Sequence, residues 1–372
     1  MLKIGITGQA GFVGTHLYNT IGLYPEEFER VDFQRTFFDI ETDLDTFISQ
    51  CDVIVHLAAM NRHHEQQVIY ATNIGLVQKL INALTRTNSK AHVLFSSSTQ
   101  EERDNLYGKS KKEGRELMIR WSKASGGKFT GMIITNVFGP FGHPNYNSVV
   151  ATFCHKLTHG ETPLIEVDGD MKLIYVGELV AEIIKEIRSG ESKDEVIIPY
   201  TSEAKVSELL TLLQSYTTGY QDKGEIPVIK NLFELNLFNT FRCYMDIEKQ
   251  FPVKYTQHID PRGSFVEVIR LGVGGQVSFS TTVPGVTRGN HYHTRKIERF
   301  AVIKGKALIQ LRRIGTNEVL DFYLDGAEPA YVDMPIWYTH NIKNIGDELL
   351  YTNFWINEYY DPNDADTYFE NV

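Results

Sequence analysis

Short apolar runs alternate with longer amphipathic segments over roughly the first 215 residues of the chain. Apolar runs bounded by polar residues or glycine predict buried strands at 4–7, 31–33, 52–58, 91–97, 132–135 and 195–199. Apolar positions that recur with the helical period predict helices at 11–21, 44–50, 66–84, 107–122, 149–159 and 178–188. Strands that alternate with helices in this way predict an α/β fold with a doubly wound parallel sheet.

The pattern changes after about residue 245, where proline and glycine interrupt the chain every few residues. The segments between them are short and rich in β-branched and aromatic residues, and they predict strands at 265–269, 277–283, 300–303, 307–312, 319–324 and 349–354. Without a long helical period, this part predicts a small antiparallel barrel or jelly roll. We therefore expect one domain over residues 1–245 and a second over 253–372.

Composition and charge exclude several classes of protein. The 372 residues carry a formal net charge of −10, which is unfavourable for general binding to nucleic acid or to an anionic membrane. The three cysteines are far apart and form no CxxC pair, so neither a disulfide framework nor a cysteine-rich zinc module is expected. No run approaches the ~20 apolar residues of a membrane span, and no signal peptide is recognisable. These features together predict a cytoplasmic protein.

A glycine-rich loop follows the first predicted strand. Gly8, Gly11 and Gly14 form a GxxGxxG pattern that also contains Phe12 and Val13. Glycines let the backbone approach a pyrophosphate, and the N-terminus of the following helix favours that negative charge. The position of the loop between a strand and a helix predicts a Rossmann-type site for a dinucleotide cofactor.

The residues after the second strand bear on the choice of cofactor. Asp32 has the spacing of an acid that binds the ribose 2′-hydroxyl, which favours NADH. Arg35 is placed to neutralise a 2′-phosphate, which favours NADPH. Asp39 is a candidate contact for the adenine. The residues by themselves leave both cofactors open.

Tyr107 and Lys111 form a YxxxK pattern on one face of a predicted helix. An ammonium beside a phenol favours the phenolate, so we expect Lys111 to lower the pKa of Tyr107 toward neutrality. Tyr107 is then a candidate general acid for a carbonyl oxygen whose carbon receives hydride. The preceding strand ends in Ser96, Ser97 and Ser98, whose hydroxyls are placed to reach the same oxygen.

These motifs resemble the short-chain dehydrogenase/reductase superfamily, in its extended branch that modifies sugar nucleotides. The resemblance covers residues 1–245 and implies that Ser98 is the catalytic hydroxyl, with Ser97 as the competing choice. It implies that Tyr107 is the acid/base and Lys111 its partner. It also implies contacts to cofactor or substrate at Leu57, Ala58 and Asn136.

A second set of candidate residues lies in the C-terminal part. Residues 285–305 fit the pattern G-x5-HxH-x4-E-x6-G, in which His291, His293 and Glu298 are candidate metal ligands. Histidines at positions i and i+2 point to the same face of a strand. His340 is a candidate fourth ligand. Three imidazoles and a carboxylate suit zinc, our first choice, or another divalent metal.

This spacing resembles the cupin family, which implies a jelly-roll fold for residues 253–372. The second cupin motif reads PxGxxH, and Trp337 stands here in place of its glycine. Stretches around Arg262 and Arg288 are similar to cupins that epimerise deoxysugar nucleotides, so both arginines are candidate contacts for phosphate or sugar, with surface ion pairs as the alternative. Candidate acid/base or enolate-stabilising groups are Lys296, Tyr338 and His291.

The two modules together resemble a family of bifunctional enzymes of capsular-polysaccharide synthesis along essentially the whole chain. The stretches that carry this resemblance are 144–149, 262–265, 338–341 and 360–369. It implies C3 epimerisation of a UDP-linked 2-acetamido-2,6-dideoxy-4-keto-hexose in the cupin domain, followed by NADPH-dependent reduction of the C4 ketone in the first domain. The product would be UDP-2-acetamido-2,6-dideoxy-L-talose, on the route to L-FucNAc. A homodimer is implied as well.

Three other interpretations stay open. In the first, the chain is a C4 reductase only, and the cupin is a metal-stabilised module for sugar binding or dimerisation. In the second, it is a sugar-nucleotide sensor or scaffold without catalysis, although binding alone has no need for the pair Tyr107 and Lys111. In the third, the C-terminal domain is a metal-dependent oxygenase. The residues do not identify the base for epimerisation.

Overall fold

The computed structural model describes residues 1–261, 263–269, 271–272 and 274–372, and it contains two compact units. The first unit consists of Met1–Thr152 and Val167–Val206, and the second of Phe153–Glu166 and Ser207–Val372. Residues 207–250 therefore group with the C-terminal part, whereas the sequence pattern placed the division after 245; the division into domains 1–245 and 253–372 stays a prediction. Within the described ranges, no helix has the length and apolar character needed to cross a membrane.

The helices of the described chain follow the predicted periods closely in the first 200 residues. Their bounds are α1 Phe12–Ile21, α2 Glu41–Gln50, α3 Gln66–Arg86, α4 Leu106–Ser125, α5 Val149–Thr158, α6 Val176–Ser189, α7 Val206–Tyr216, α8 Leu232–Arg242 and α9 Ile247–Gln250.

The strands come in two groups. Those of the first unit are β1 Leu2–Thr7, β2 Phe28–Val31, β3 Val53–His56, β4 His92–Ser98, β5 Phe129–Ile134, β6 Asn136–Phe138, β7 Asp170–Tyr175, β8 Lys193–Ile197 and β9 Ser202–Lys205. Those of the second unit are β10 Val253–Lys254, β11 Gln257–Asp260, β12 Gly263–Val266, β13 Gln276–Thr282, β14 Thr287–Tyr292, β15 Glu298–Lys304, β16 Lys306–Arg313, β17 Val319–Asp325, β18 Ala330–Met334, β19 Tyr338–Asn344, β20 Leu350–Ile356 and β21 Tyr368–Phe369.

Six parallel strands form the central sheet of the first unit, in the order β2-β1-β3-β4-β5-β8. In β3, Val53 and Val55 pack with α1 and α6 on one face, whereas Ile54 packs with α2, α3 and α4 on the other. A strand covered on both faces is apolar throughout, which is the pattern that its sequence shows. The predicted doubly wound parallel sheet is confirmed.

The second strand differs from its prediction, since β2 covers Phe28–Val31 instead of 31–33. The N–H of Phe33 donates to the side-chain oxygen of Gln9 at 2.9 Å, outside the sheet. The ring of Phe33 is buried against the rings of Phe38 and Phe47, with centroid distances of 5.3 and 5.0 Å. The apolar residue that predicted a strand here is therefore explained by packing of its ring and not by pairing in the sheet.

Antiparallel pairing dominates the second unit. Two five-stranded sheets have the orders β10-β18-β15-β20-β13 and β17-β16-β19-β14-β21, and β11 pairs with β12. Apolar side chains from both five-stranded sheets share one core, for example Val302 from β15 and Ile309 from β16. The predicted all-β C-terminal fold is confirmed.

Several elements of the second unit were missed by the apolar pattern. β14 and β19 were missed because polar residues occupy many of their positions. α8 was missed because it is buried on nearly all sides from Asn236 to Arg242, which removes the polar stripe that marks a surface helix.

A buried polar network joins α8 and the segment before it to the sheets of the second unit. The carboxylate of Asp333 on β18 accepts two hydrogen bonds from Arg299 on β15, at 2.7 and 3.0 Å, and one from the hydroxyl of Tyr220 at 2.5 Å. Arg242 on α8 donates to the oxygen of Tyr220 at 3.1 Å and to the backbone oxygen of Met334 at 2.9 Å. Although burial alone would raise the pKa of Asp333, Arg299 and Arg242 hold it below its usual range.

We predict that Asp333→Asn destabilises the second unit by about 3–5 kcal/mol, because it leaves two buried guanidinium groups without their counterion. The measurement is denaturant unfolding followed by circular dichroism and tryptophan fluorescence. Asp347→Asn is the matched control, since Asp347 is exposed in the turn between β19 and β20, and we expect it to change the stability by less than about 0.5 kcal/mol. Equal effects of the two substitutions would contradict the role of Asp333.

Candidate active site and metal centre

A cavity of about 310 Å³ opens at the carboxyl ends of the parallel strands in the first unit. It lies at the point where the strand order reverses direction, between β1 and β3, which is where doubly wound sheets bind nucleotides. Predicted site residues that line it are Gly8, Gly11, Phe12, Val13, Gly14, Leu57, Ser97, Ser98, Tyr107, Lys111 and Asn136.

The glycine loop leaves no room for side chains at two of its positions. Gly8 has a φ of +81°, and a Cβ there would lie 2.8 Å from the backbone nitrogen of Ala58. A Cβ on Gly14 would lie 2.2 Å from the backbone oxygen of Gly8. The loop thus forms a cradle of backbone that leads directly into the N-terminus of α1 at Phe12. This cradle fits the pyrophosphate of a dinucleotide.

The candidate contacts for the adenosine end lie on the surface near β2. The carboxylate of Asp32 accepts a hydrogen bond from the hydroxyl of Tyr18 at 2.5 Å. Arg35 is exposed at the start of a 3-10 turn, and Asp39 lies 3.2 Å from the amine of Lys79. The structure places these three residues, like Ala58, outside the lining of the cavity.

Tyr107 and Lys111 lie one turn apart on α4, as predicted. Lys111 is buried, and its amine lies 5.8 Å from the centre of the Tyr107 ring. The amine donates a hydrogen bond to the backbone oxygen of Ser96 at 2.8 Å. A Cβ on Gly108 would lie 1.9 Å from the backbone oxygen of Gln100. Glycine at this position therefore lets the first turn of α4 approach the segment that follows β4. The candidate serines lie at the end of β4.

The electrostatics of this pair differ from the sequence-based expectation. Burial lowers the pKa of Lys111 to about 8, and the carboxylate of Glu101 opposes this shift. Burial raises the pKa of Tyr107 to about 12, and the neighbouring Tyr146 adds to the rise. The expected lowering of the Tyr107 pKa is wrong for this structure. The phenol is protonated at neutral pH, which is the form that donates a proton.

The two candidate serines have different partners. The hydroxyl of Ser97 donates to the carboxylate of Glu101, which is buried and also accepts hydrogen bonds from Arg115 at 2.7 and 3.0 Å. The oxygen of Ser98 accepts the N–H of Gln100 at 3.2 Å, so its own proton is available to a ligand in the cavity. This arrangement favours Ser98 as the catalytic hydroxyl.

Sequence reasoning missed Glu101, Arg115 and Tyr146. Glu101 and Arg115 belong to no local motif, because their ion pair joins the 3-10 turn Thr99–Glu102 to the middle of α4. Tyr146 lines the cavity and lies within the stretch 144–149, which carried the family resemblance.

The four predicted metal ligands come together in the second unit. One donor atom from each of His291, His293, Glu298 and His340 lies within 4.8 Å of the others, and three of these residues are buried. His291 on β14 is paired with His340 on β19, directly after an irregularity in the pairing at Gly289. Glu298 begins β15, so the cluster joins both sheets.

The donor atoms of this cluster fit a divalent cation. Glu298 Oε2 lies 3.1 Å from the Nε2 atoms of both His293 and His340, and these imidazoles hold the pKa of Glu298 well below its usual range although burial opposes this. Burial lowers the pKa of His291 to about 4, which leaves it neutral. Among the described residues, buried His340 Nε2 makes no well-aligned hydrogen bond, although Glu298 Oε2 lies 3.1 Å away. An unpartnered nitrogen beside a carboxylate and further imidazoles suits zinc or a similar metal.

Backbone oxygens orient two of the imidazoles. His293 Nδ1 lies 2.6 Å from the backbone oxygen of Asp366, and His340 Nδ1 lies 3.1 Å from that of Tyr338. Because a carbonyl oxygen only accepts, each Nδ1 donates to its carbonyl, and Nε2 is the ring nitrogen that faces the cluster and would bind a metal.

Trp337, which stands where the cupin motif has glycine, adopts a left-handed backbone conformation. Its φ is +61°, a left-handed conformation that costs a non-glycine residue about 1–2 kcal/mol. Its N–H donates to the backbone oxygen of His293 at 2.8 Å, and its buried ring stacks on Tyr292 with a centroid distance of 5.6 Å. These contacts offset the strain, so the departure from the motif leaves the ligand strand in place.

The residues that the sequence suggested as acid/base groups or as phosphate and sugar contacts differ in their surroundings. The amine of Lys296 is buried and donates to the backbone oxygen of Ala365 at 2.5 Å, so it is engaged away from the cluster. Burial raises the pKa of Tyr338 to about 12. Arg288 donates to the side chain of Thr282 at 3.0 Å. Arg262 lies outside the described residues.

Comparison with known proteins places the chain in a family. The NAD dependent epimerase/dehydratase family matches residues 4–198, and a polysaccharide biosynthesis C-terminal domain matches residues 258–368. The UDP-2-acetamido-2,6-beta-L-arabino-hexul-4-ose reductase of Pseudomonas aeruginosa is 31% identical over 373 residues, which cover 99% of this chain and 98% of the relative. The chain belongs to the NAD dependent epimerase/dehydratase family. It is an enzyme.

Solved structures agree with this assignment. The capsular polysaccharide assembling protein CapF from Staphylococcus aureus is 33% identical with a TM-score of 0.62, over 99% of this chain and 100% of that protein. The expected resemblance to enzymes of capsular-polysaccharide synthesis along the whole chain is therefore confirmed. The structure of RMD from Pseudomonas aeruginosa complexed with NADPH is 18% identical with a TM-score of 0.53, over 59% of this chain and 83% of that protein. At this identity it supports the fold alone.

We predict that Ser98→Ala lowers kcat by about a hundredfold, because it removes a hydroxyl that is free to assist proton transfer in the cavity. Ser97→Ala is the matched comparison. It should lower the stability by about 1–3 kcal/mol, since it leaves the buried carboxylate of Glu101 without one donor, and affect kcat much less. Oxidation of the nicotinamide cofactor gives kcat, and denaturant unfolding gives the stability. A larger loss of kcat in Ser97→Ala would reverse the assignment.

Proposed function

We propose that this enzyme epimerises C3 of a UDP-linked 2-acetamido-2,6-dideoxy-4-keto-hexose and then reduces the C4 ketone with NADPH. The product is UDP-2-acetamido-2,6-dideoxy-L-talose, a precursor of L-FucNAc for capsule or O-antigen. The observation that carries the proposal is one chain with both the Tyr107–Lys111 pair at a nucleotide cavity and the His/Glu cluster. It is supported by similarity along the whole chain to a protein named as a UDP-hexulose reductase.

For the reduction, a nicotinamide cofactor bound in the glycine-loop cavity would supply the hydride that C4 accepts. Burial keeps Tyr107 protonated, so its hydroxyl donates the proton that the C4 oxygen needs. Lys111 holds a positive charge within 5.8 Å of the Tyr107 ring, which stabilises the phenolate left behind. Ser98 orients the same carbonyl oxygen. NADPH is our choice because of the family resemblance and the exposed Arg35 after β2, with NADH as the alternative.

For the epimerisation, C3 carries an acidic proton because it is α to the C4 ketone. A zinc or similar ion held by His291, His293, Glu298 and His340 would supply electrostatic stabilisation for the enolate oxygen. His293, Glu298 and His340 are buried, and the low local dielectric constant makes such an electrostatic interaction stronger than in water. Return of the proton from the opposite side inverts C3.

A second candidate function is C4 reduction alone, with a metal-stabilised second unit that binds sugar or another copy of the chain. The engagement of Lys296 with Ala365 favours it, because this removes one of the candidate bases. A homodimer is part of both proposals and rests on the cupin resemblance.

We predict that full-length Tyr107→Phe loses NADPH oxidation by at least about a hundredfold, because the proton donor to the C4 oxygen is gone. In deuterated water, the same variant should still place deuterium at C3 of the UDP-4-keto sugar. Addition of His293→Ala to it should abolish the exchange. NMR of the recovered sugar measures the deuterium at C3 for the single and the double variant.

Tyr200→Phe is the control, since Tyr200 is an exposed tyrosine of the first unit outside the cavity lining. Retained NADPH oxidation in Tyr107→Phe would remove Tyr107 from its role. Absence of deuterium at C3 in the zinc-loaded variant would contradict the epimerase and leave the reductase-only candidate.

We also predict that kcat for reduction falls as the pH rises above about 8, because Lys111 then loses its proton and with it the charge beside Tyr107. The carboxylate of Glu101 raises the pKa of Lys111, so Glu101→Gln should move this fall to lower pH. Glu195→Gln is the matched control, because Glu195 contacts the same Arg115 at 3.2 Å but is half exposed. Unchanged pH profiles in both variants would contradict the link between Glu101 and Lys111.

A further inference from the structure

The loop between two of the candidate metal ligands is held by residues far away in sequence. Residues 294–297 connect His293, directly after β14, to Glu298 at the start of β15. Asp366, some 70 residues later, accepts hydrogen bonds from three consecutive backbone N–H groups of this loop, each at 3.0 Å. Its carboxylate also accepts the hydroxyl of Thr294 at 2.6 Å.

The same residue contacts a ligand directly. The backbone oxygen of Asp366 accepts a hydrogen bond from His293 Nδ1 at 2.6 Å. Asp366 thus holds His293 through its main chain and the loop toward Glu298 through its side chain. It is buried, with 5% of its surface exposed, and has a φ of +41°. A non-glycine residue in this conformation is strained, and these five hydrogen bonds maintain it.

The surrounding C-terminal segment makes further contacts with the ligand strands. β21 pairs with β14, and Phe369 lies opposite His291. Arg295 is ion-paired with Asp364 at 2.9 Å and with Glu358 at 3.1 Å. Lys296 donates to the backbone oxygen next to Asp366, that of Ala365. The C-terminal segment therefore closes over the loop from one side.

We propose that Asp366 is a positioning residue that sets the metal affinity of the His/Glu cluster. The proposal rests on the metal site of the proposed function. A carboxylate that accepts three successive N–H groups fixes the path of the loop, and with it the separation of His293 from Glu298. Since partners beyond the ligands orient them, removal of such a partner typically costs 10–100-fold in metal affinity.

A merely structural role for Asp366 gives a different result. Stabilisation of the fold alone would change the unfolding of the metal-free protein and leave zinc affinity of the folded protein unchanged. A positioning role changes the zinc dissociation constant while the folded state persists. The two roles are therefore separated by measurements on the same variants.

The experiment compares full-length Asp366→Asn with the unmodified protein and with Asp364→Asn. Asparagine keeps the size of the side chain but removes its charge and turns an N–H group toward the loop donors. Zinc affinity is measured by competition with a chromophoric chelator, and we expect Asp366→Asn to raise the zinc dissociation constant about 10–100-fold. The cobalt-loaded form should show altered d–d absorption bands in Asp366→Asn.

Asp364→Asn is the matched control, because Asp364 lies in the same segment and pairs with Arg295 but is largely exposed. We expect it to leave zinc affinity and the cobalt spectrum close to those of the unmodified protein, as is usual for exposed ion pairs. Far-ultraviolet circular dichroism and NADPH binding at the separate nucleotide cavity confirm that each variant is folded.

Several results would overturn the proposal. Unchanged zinc affinity and cobalt spectrum in folded Asp366→Asn would show that Asp366 does not position the ligands. An equal loss of zinc affinity in Asp364→Asn would show that the effect comes from the net charge of the segment. If the unmodified protein binds no divalent metal, the metal site of the proposed function fails as well, whereas a failure confined to Asp366→Asn leaves that site intact.

Discussion

Compensation of buried charge is the constraint on which the second unit depends. A charge removed from water is tolerated when opposite charges and hydrogen bonds surround it. Asp333 meets this condition through Arg299 and Arg242, which lie on different elements, and so the helical residues 207–250 are held on the β sheets. Asp366 meets it through a row of backbone N–H groups. Both carboxylates join parts of the chain that are distant in sequence.

Two buried charges are only partly balanced by opposite charges, and both lie at sites for which we propose chemistry. Lys111 is buried and donates to a backbone oxygen, and no carboxylate of the described chain lies within ion-pair distance of it. Such a cation favours a negative charge nearby, here a phenolate formed on Tyr107. In the metal cluster, ionised Glu298 lies among imidazoles of which burial keeps that of His291 neutral and able to bind a metal. That cluster favours a cation.

Local periodicity explains which features the sequence could predict. The parallel strands, the glycine loop and the HxH pattern depend on neighbours within a few residues, and the structure brings the predicted metal ligands together. Features set by distant contacts had no local signal. α8 is buried on nearly all sides, Glu101 pairs across to α4, and Asp366 meets its loop only in the folded chain. The predicted pKa of Tyr107 was wrong for the same reason, since spacing shows the nearby amine but not the loss of solvent.

The proposed chemistry also determines the order of the two reactions. The proton on C3 is acidic only while C4 is a ketone, because the enolate shares its charge with that oxygen. Reduction turns C4 into an alcohol and removes this acidity, so epimerisation must come first. The free energy of hydride transfer then makes an otherwise reversible inversion permanent. A buried, protonated Tyr107 suits this order, because it supplies a proton only when hydride transfer creates an oxyanion to receive it. In the proposed function, the two sites of this chain therefore serve consecutive steps around the same carbonyl group.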